Sequence, residues 1–334
     1  MFKTRISGIA VAVSLLILPT VPSFVSAADE IEEVVAVGTR REARSVGDSP
    51  APVDIISGSD FTNQGAADLP DMIRTLVPSF NVNTQPISDA ATLIRPANLR
   101  GLPPDNMLVL VNGKRRHRGA VISFLGSGIS DGAQGPDISA IPSIALKQVE
   151  VLRDGAAAQY GSDAIAGIMN FVYKDNSEGT QIEIRSGEYS DGDGDMYRVA
   201  ANVGMPFTAN GFANVSIELQ DTDPTSRSVQ RGDAQSLYDG GNAAIWNYPN
   251  PAQIWGSPKV SDDIKLVANI GLELDANKEF YLFGNYAERK VLGGFFFRNP
   301  TNRGGIFSTD GGDTRMVLDV AQETEGAEST CRVV

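Results

Sequence analysis

The residues that could do chemistry are few, and their surroundings argue against catalysis. His117 is the only histidine and sits in the basic run Lys114-Arg115-Arg116-His117-Arg118, immediately after the turn pair Asn112-Gly113. A Ser-His-Asp arrangement would depend on that one imidazole, and nothing like a nucleophile elbow accompanies it. Asp191, Asp193 and Asp195 copy the opening of a calcium loop. The loop's sixth position is Met196 rather than glycine and its twelfth is Asn202 rather than glutamate, so a polar turn is the better reading. Cys331 is the single cysteine, which excludes an internal disulfide framework. The basic run could touch phosphates, but it is a short patch in a chain of net charge −13, and no nucleic-acid partner is expected. A solvated or lumen-facing loop explains it better. No catalytic residue, metal or cofactor is expected, and the chain does not read as an enzyme.

The start of the chain says where it goes. Lys3 and Arg5 form a basic n-region, Ile6 to Leu18 an apolar core, and Val25-Ser26-Ala27 a small-residue cleavage site, so residues 1–27 read as a removed export signal. The apolar stretch, broken by Pro19 and Pro22, falls short of the about 20 residues that a spanning helix needs. No other segment is long and apolar enough to span as a helix in a composition that is 42% hydrophobic with 34 glycines and 18 prolines. Later membrane insertion would have to use strands. At about 150 residues per domain, a length of 334 allows an ordinary domain and something more.

Behind the signal, residues 28–51 hold an acidic lead, the short β-branched run Glu33-Val34-Val35-Ala36-Val37-Gly38 and a polar stretch. A short strand isolated between polar segments cannot bury itself, and such segments bind by adding to the sheet edge of a partner. The alternative is a first strand of the following domain. Residues 52–176 mix α and β: a strand at Val53 to Ser57, a helix through Ala67 to Val77 with Leu69, Met72, Ile73 and Leu76 at helical spacing, and strands at Met107 to Val111, Val149 to Leu152 and Ile168 to Tyr173. These make one α+β domain of about 125 residues.

From Gly179 the pattern changes to period two. Val199, Ala201 and Val203 alternate with Arg198, Ala200 and Asn202; Ala213, Val215, Ile217 and Leu219 oppose Asn214, Ser216, Glu218 and Gln220; Ile264, Leu266, Ala268, Ile270, Leu272 and Leu274 oppose Lys265, Asn269 and Glu273. Runs of about ten residues match transmembrane barrel strands, whereas sandwich strands usually have about five or six. The connections alternate as barrels require, with short turns at Asn210-Gly211 and Asp275 to Asn277 and long loops at Tyr189 to Asp195 and after Asp221. About five strands are expected over 177–334, the faces of Phe280 to Glu288 being ambiguous and the segment Cys331 to Val334 falling in an outer loop.

The stretch from Gln148 through Arg153-Asp154-Gly155-Ala156-Ala157-Ala158-Gln159-Tyr160-Gly161 to Ala166-Gly167-Ile168-Met169-Asn170 closely resembles the signature that ends the plug domain of TonB-dependent receptors. Asn98-Leu99-Arg100-Gly101 and Leu108-Val109-Leu110-Val111-Asn112-Gly113-Lys114-Arg115 resemble two further plug motifs in the correct order, and Glu33 to Thr39 looks like the TonB box. Ala166-Gly167 stands where two glycines are usual and Met169 where Ile or Val is usual; both are mild departures.

The resemblance implies an α+β plug over 52–176 followed by the start of an antiparallel transmembrane β-barrel. A plugged barrel of about 22 strands would need more residues than the 334 present, so the chain reads as a fragment. The implied role is energised uptake of a scarce solute through the outer membrane, by binding and gating without covalent chemistry. Implied partners are the TonB C-terminal domain, outer-membrane lipid and a small-molecule substrate, with the receptor a monomer. TonB would pair with Glu33, Val34, Val35, Ala36, Val37 and Gly38. Outward plug loops at Asn83 to Thr92 and Gly119 to Pro136 would carry substrate contacts, with Asn83, Gln85, Phe124, Asp131 and Gln134 as the candidates. Ferric siderophores lead by family frequency, followed by cobalamin, other chelates and oligosaccharides. A passive porin or adhesin would lack box and plug, and a periplasmic enzyme would need a constellation that the chain does not carry.

Overall fold

A computed structural model describes residues 34–35, 44–45, 52–66, 68–82, 91–123, 128–241, 255–275, 278–293, 297, 299 and 328–333. All lie in the unit Val34–Val334. The first elements are two short strands, β1 (Val34–Val35) and β2 (Arg44–Ser45), paired antiparallel. There follow β3 (Val53–Ser57), α1 (Gly58–Thr62), α2 (Leu69–Leu76), β4 (Phe80–Val82), α3 (Ala91–Ile94), β5 (Ala97–Leu99), β6 (Met107–Val111), β7 (Lys114–Arg115), β8 (Leu146–Leu152), α4 (Ala157–Tyr160) and β9 (Gly167–Tyr173).

Strands β3, β8, β9, β6 and β7 form one sheet in that order, with β6 and β9 parallel and the other pairs antiparallel. Both faces are buried along β6, β8 and β9, as their nearly unbroken apolar runs require. One face packs Val109, Val149, Val151, Met169 and Phe171 against Phe61, Met72 and Ile73 of the helices. The other packs Val53, Leu108, Leu110 and Ile168 against Ala164 and Tyr160.

Local chemistry sets the element ends. Helix α2 begins at Leu69, later than the apolar spacing predicts, because Asp68 caps it by accepting from the Asp71 backbone N–H and Pro70 fits its first turn. Helix α1 was not expected from periodicity; Ser57 and Asp60 nucleate it through a reciprocal capping box. Strand β8 starts at Leu146, three residues before the predicted Val149, since Leu146 is fully buried and already paired with Tyr173. Strand β9 starts at Gly167, where φ is +139° and a Cβ would lie 2.3 Å from the Leu152 carbonyl oxygen, so only glycine fits.

The second sheet is an antiparallel meander of β10 (Thr180–Gly187), β11 (Met196–Pro206), β12 (Gly211–Thr222), β13 (Lys259–Asp275), β14 (Lys278–Leu292) and β15 (Glu328–Val333). Its faces are inverted relative to a soluble sheet. Ile182, Ile184, Tyr197, Val215, Leu266 and Leu282 are exposed, Ile184 at 76%. Arg198, Asn202, Asn214, Ser216, Glu218, Lys265 and Asn269 are buried, Arg198 and Lys265 at 1% exposure. The polar face is covered by the first domain. No described helix is long and apolar enough to cross a membrane.

Three expectations are corrected. The hairpin β13–β14 has strands of 17 and 15 residues, not about ten, because pairing continues past a register shift between Ser261 and Ile264, where Asp262 adopts φ +51°. The segment read as an outer loop at Cys331 pairs with β14 as β15, Glu288 opposite Arg332. The long connection after β12 contains a helix, Gly232–Asp239, whose weak amphipathic pattern hid it. Phe280 to Glu288 is resolved by parity: Phe283 packs edge-on to Tyr173 at 6.2 Å and therefore faces the first domain, while Phe280 and Leu282 face out.

Candidate functional site: the seam between domain and wall

The seam is built by charged side chains at inward positions of the alternating strands. Along the wall, Arg198 donates to Glu218 Oε2 at 2.6 Å and Lys265 to Glu218 Oε1 at 2.8 Å, with Asp263 3.4 Å from the Lys265 amine. Glu183 pairs with Arg185 and lies 3.6 Å from Arg198. Signs alternate across four strands, so each buried ion has a partner of opposite charge, without which burial would cost several kcal/mol, order about 3–5.

The wall's donors reach the first domain through uncharged acceptors. Arg185 donates to the backbone carbonyls of Gln64 (2.6 Å), Thr62 (2.7 Å) and Phe61 (3.3 Å). Arg198 reaches Ser143 Oγ at 2.5 Å, and Arg289 donates to the Leu93 carbonyl. In the opposite direction, Asn112 Nδ2 donates to Asn269 Oδ1 at 3.2 Å and Arg116 to Asn285 Oδ1 at 2.6 Å. The basic run is therefore divided, Lys114 and Arg116 reaching the wall and Arg115 and Arg118 pairing within the first domain. Arg115 donates to the Tyr160 carbonyl and pairs with Asp163, while Lys114 lies over the Tyr281 ring at 5.3 Å. Burial, and then the neighbouring Arg116 cation, holds the His117 pKa below its usual value. Burial pushes the Tyr173 hydroxyl up to about 12.

At the end of the wall where β10, β11 and β12 meet their long connections lies a cavity of about 320 Å³, lined by Asp71, Arg74, Arg95, Tyr189, Gln220 and Arg289 among others. Its floor is an ion cluster. Arg95 donates twice to the Asp71 carboxylate at 3.0 Å and also binds Asp68, from a backbone with φ +34°. Burial alone would lift the Asp68 carboxyl, but the Arg95 guanidinium and hydrogen bonds from Asp71 outweigh it and bring it to about 2. Asp71, buried beside that charge, is pushed up. Above the cavity, Arg227 bridges Asp191 (3.1 Å) and Asp193 (2.5 Å). It occupies the carboxylates of the calcium-like turn and joins the two long connections of the wall.

Of the sequence-predicted contacts, Asn83, Gln85 and Phe124 lie outside the described residues, as do Glu33, Ala36, Val37 and Gly38. Val34 and Val35 are opposite Ser45 and Arg44 in the β1–β2 pair. Asp131 and Gln134 share one loop. Asp131 is exposed, whereas the Gln134 side chain donates to the Gly119 carbonyl at 2.8 Å and its backbone N–H to Asp105 at 3.1 Å, which ties the loop's two arms. Sequence reading missed the cluster of Asp68 and Asp71 with Arg95, which lies 24 positions beyond Asp71. It also missed the roles of Arg185, Arg198, Glu218 and Lys265, because alternation assigns a residue to a face of the strand but does not name its partner. Among the described residues, no group of three or more His, Cys, Asp and Glu could hold a metal ion.

Comparison with known proteins agrees with this geometry. The family model described as "TonB-dependent Receptor Plug Domain" matches residues 45–168. The chain is 27% identical over 216 residues to the vitamin B12 transporter BtuB of Photobacterium profundum, covering 64% of this chain and 32% of that protein. It is 31% identical over 181 residues to the ferric enterobactin receptor PirA of Pseudomonas aeruginosa (51% of this chain, 24% of that protein). It is 27% identical to the iron-regulated outer membrane virulence protein of Vibrio cholerae (52% and 24%). The match thus spans a third or less of these relatives. In fold, the chain resembles the siderophore receptor PirA of Acinetobacter baumannii with TM-score 0.55 and 20% identity, over 84% of this chain and 36% of that one. It also resembles the ferric enterobactin receptor PfeA of Pseudomonas aeruginosa with TM-score 0.54 and 20% identity, over 72% and 34%.

Proposed function

We propose that this chain, whose residues 45–168 match the TonB-dependent receptor plug and are followed by antiparallel strands of a partial barrel, is part of a receptor that imports a scarce solute across the outer membrane at the expense of TonB-transmitted energy. The observation that carries this reading is the inverted sheet. An apolar outer face suits lipid, and a polar inner face filled by a folded domain describes a barrel that is closed at rest. An open pore would have water where the plug sits.

The cargo we propose is a ferric siderophore, supported by relatives named for ferric enterobactin. A cobalamin reading is favoured by one observation, the similarity to vitamin B12 transporters. Substrate would be held by the outward plug loop that carries Asp131 and Gln134. TonB would pair with the segment Glu33 to Gly38 as an added strand, and the β1–β2 pair supplies the extended backbone for it. The receptor would be exported through a cleaved signal peptide and would sit in the outer membrane as a lipid-bounded monomer, a location supported by the similarity to an iron-regulated outer membrane protein.

The test is uptake of labelled ferric enterobactin and labelled cobalamin by cells carrying the full-length protein, with and without functional TonB. TonB-dependent accumulation of one ligand identifies the cargo class. Accumulation that is indifferent to TonB would overturn the energised reading in favour of a passive pore.

A further inference from the structure

Among the described residues, strand β3 is an edge strand of the plug sheet, paired with β8. It runs directly into α1, whose last turn leaves carbonyls without the usual helical partner, although the Phe61 oxygen also accepts from the Gln64 backbone N–H at 3.2 Å. One side chain of the wall adds donors to this turn. The Arg185 guanidinium in β10 donates to Phe61, Thr62 and Gln64 together, while Glu183 on the same strand pairs with it from behind. A planar fork of donors suits this cluster of acceptors, and a lysine ammonium could not reproduce it. On its other side, α1 is seated without slack, since a Cβ on Gly58 would lie 2.3 Å from the Leu146 carbonyl oxygen.

We propose that Arg185 is the latch that holds the N-terminal unit of the plug, β3 with α1, against the barrel wall, and that its release admits the first movement when the chain is pulled from the TonB side. The proposal rests on the energised-import reading for the origin of the force and names the residue that resists it. Arg185 is a positioning residue: it contacts no cargo and acts through the α1 carbonyls. Its acceptors are all neutral backbone oxygens, so leaving them breaks hydrogen bonds without separating a plug–wall ion pair, and its charge stays compensated by Glu183. The more deeply buried wall ions, Arg198, Glu218 and Lys265, stay paired with one another throughout.

Two measurements on the full-length receptor test this. In purified protein, amide hydrogen exchange over residues 53–64 should accelerate in Arg185→Ala, and to a smaller extent in Arg185→Lys, with β8 and β9 protected as in the parent. Unchanged exchange over 53–64 in both variants overturns the latch, whatever the cargo is. Global acceleration in Arg185→Ala with parental exchange in Arg185→Lys also overturns it, because the residue would then serve general folding alone. In cells, a Cys331→Ser receptor carrying Thr62→Cys and Arg185→Cys is bridged by a short, reducible bis-maleimide. With labelled ferric enterobactin or cobalamin, surface binding should persist, uptake should be lost, and reduction should restore it. Normal uptake with the bridge closed overturns the proposal. If neither ligand enters cells carrying the parent receptor, the cargo assignment fails, and the exchange measurement still judges the latch.

Discussion

Asn112 and Asn269, 157 positions apart, meet across the seam: the Asn112 side-chain amide donates to the Asn269 side-chain oxygen Oδ1 at 3.2 Å. The same Asn112 accepts from the Tyr173 backbone N–H at 2.8 Å, and it does so from φ +47° in the turn between β6 and β7. One residue thus closes the hairpin, ties it to β9 and touches the wall. Asn112→Gly keeps the left-handed backbone but removes both side-chain bonds. It should destabilise the protein by about 1–3 kcal/mol, read as a lower denaturant midpoint. An unchanged midpoint would mean that the turn conformation alone matters.

The plug spanning residues 52–176 is expected to fold in isolation, because its main core draws on a single wall residue, Val267, among its fully buried members. Circular dichroism should show mixed α and β, and proton NMR should show dispersed amides. A random-coil spectrum would make the plug dependent on the wall.

The Arg95 cluster has a signed pH dependence. The Asp68 pKa in the fold, about 2, lies below the ordinary 3.8, so its contribution is present above about 3.8 and lost as pH falls toward 2. Asp71 is raised, so its share runs the other way and weakens as pH rises through its ordinary value. Arg95→Met removes the cation shared by Asp68 and Asp71, leaving Asp71 only its 3.5 Å pair with Arg74, and should cost about 3–5 kcal/mol at neutral pH. That deficit should shrink on acidification toward pH 4, as protonation replaces the lost cation. Denaturant melts at several pH values decide it; a deficit independent of pH would reduce Arg95 to a packing role.

Leu266 tests the inverted sheet. It is 38% exposed, and in a water-facing sheet Leu266→Arg would be nearly neutral. Facing lipid, it should destabilise the barrel by about 2–4 kcal/mol near the bilayer midplane. The measurement is the fraction of full-length receptor that resists unfolding in detergent gels, compared with a Lys259→Arg control.

Val35→Pro removes a backbone N–H from the segment proposed to pair with TonB. It should abolish uptake while leaving binding of labelled ligand at the cell surface intact, whereas Val35→Thr should be mild. Normal transport by Val35→Pro would assign the segment to the β1–β2 pair alone.

Much of this protein was legible without coordinates, wherever the information is local. The strands Val53–Ser57 and Met107–Val111 form with the predicted bounds, because continuous β-branched and apolar residues between turn formers leave the backbone few alternatives. Alternation predicted the wall, since a strand's side chains must point to opposite sides. Ordered motifs predicted the plug. Element ends set by caps, such as Asp68, and by close approach, such as Gly167, were less legible, because they depend on one hydrogen bond or one contact.

Tertiary structure alone decided which alternating face was inside. Periodicity is symmetric: the pattern of Arg198, Ala200 and Asn202 against Val199, Ala201 and Val203 is the same for a sheet in water and for a wall in lipid, and only the domain packed on the polar side breaks that symmetry. It also decided the partners. Arg185 and Phe61 are 124 positions apart, and Arg95 and Asp71 are 24 apart. A charge in a sequence states only that some compensation must exist when it is buried; which group supplies it depends on the path of the whole chain.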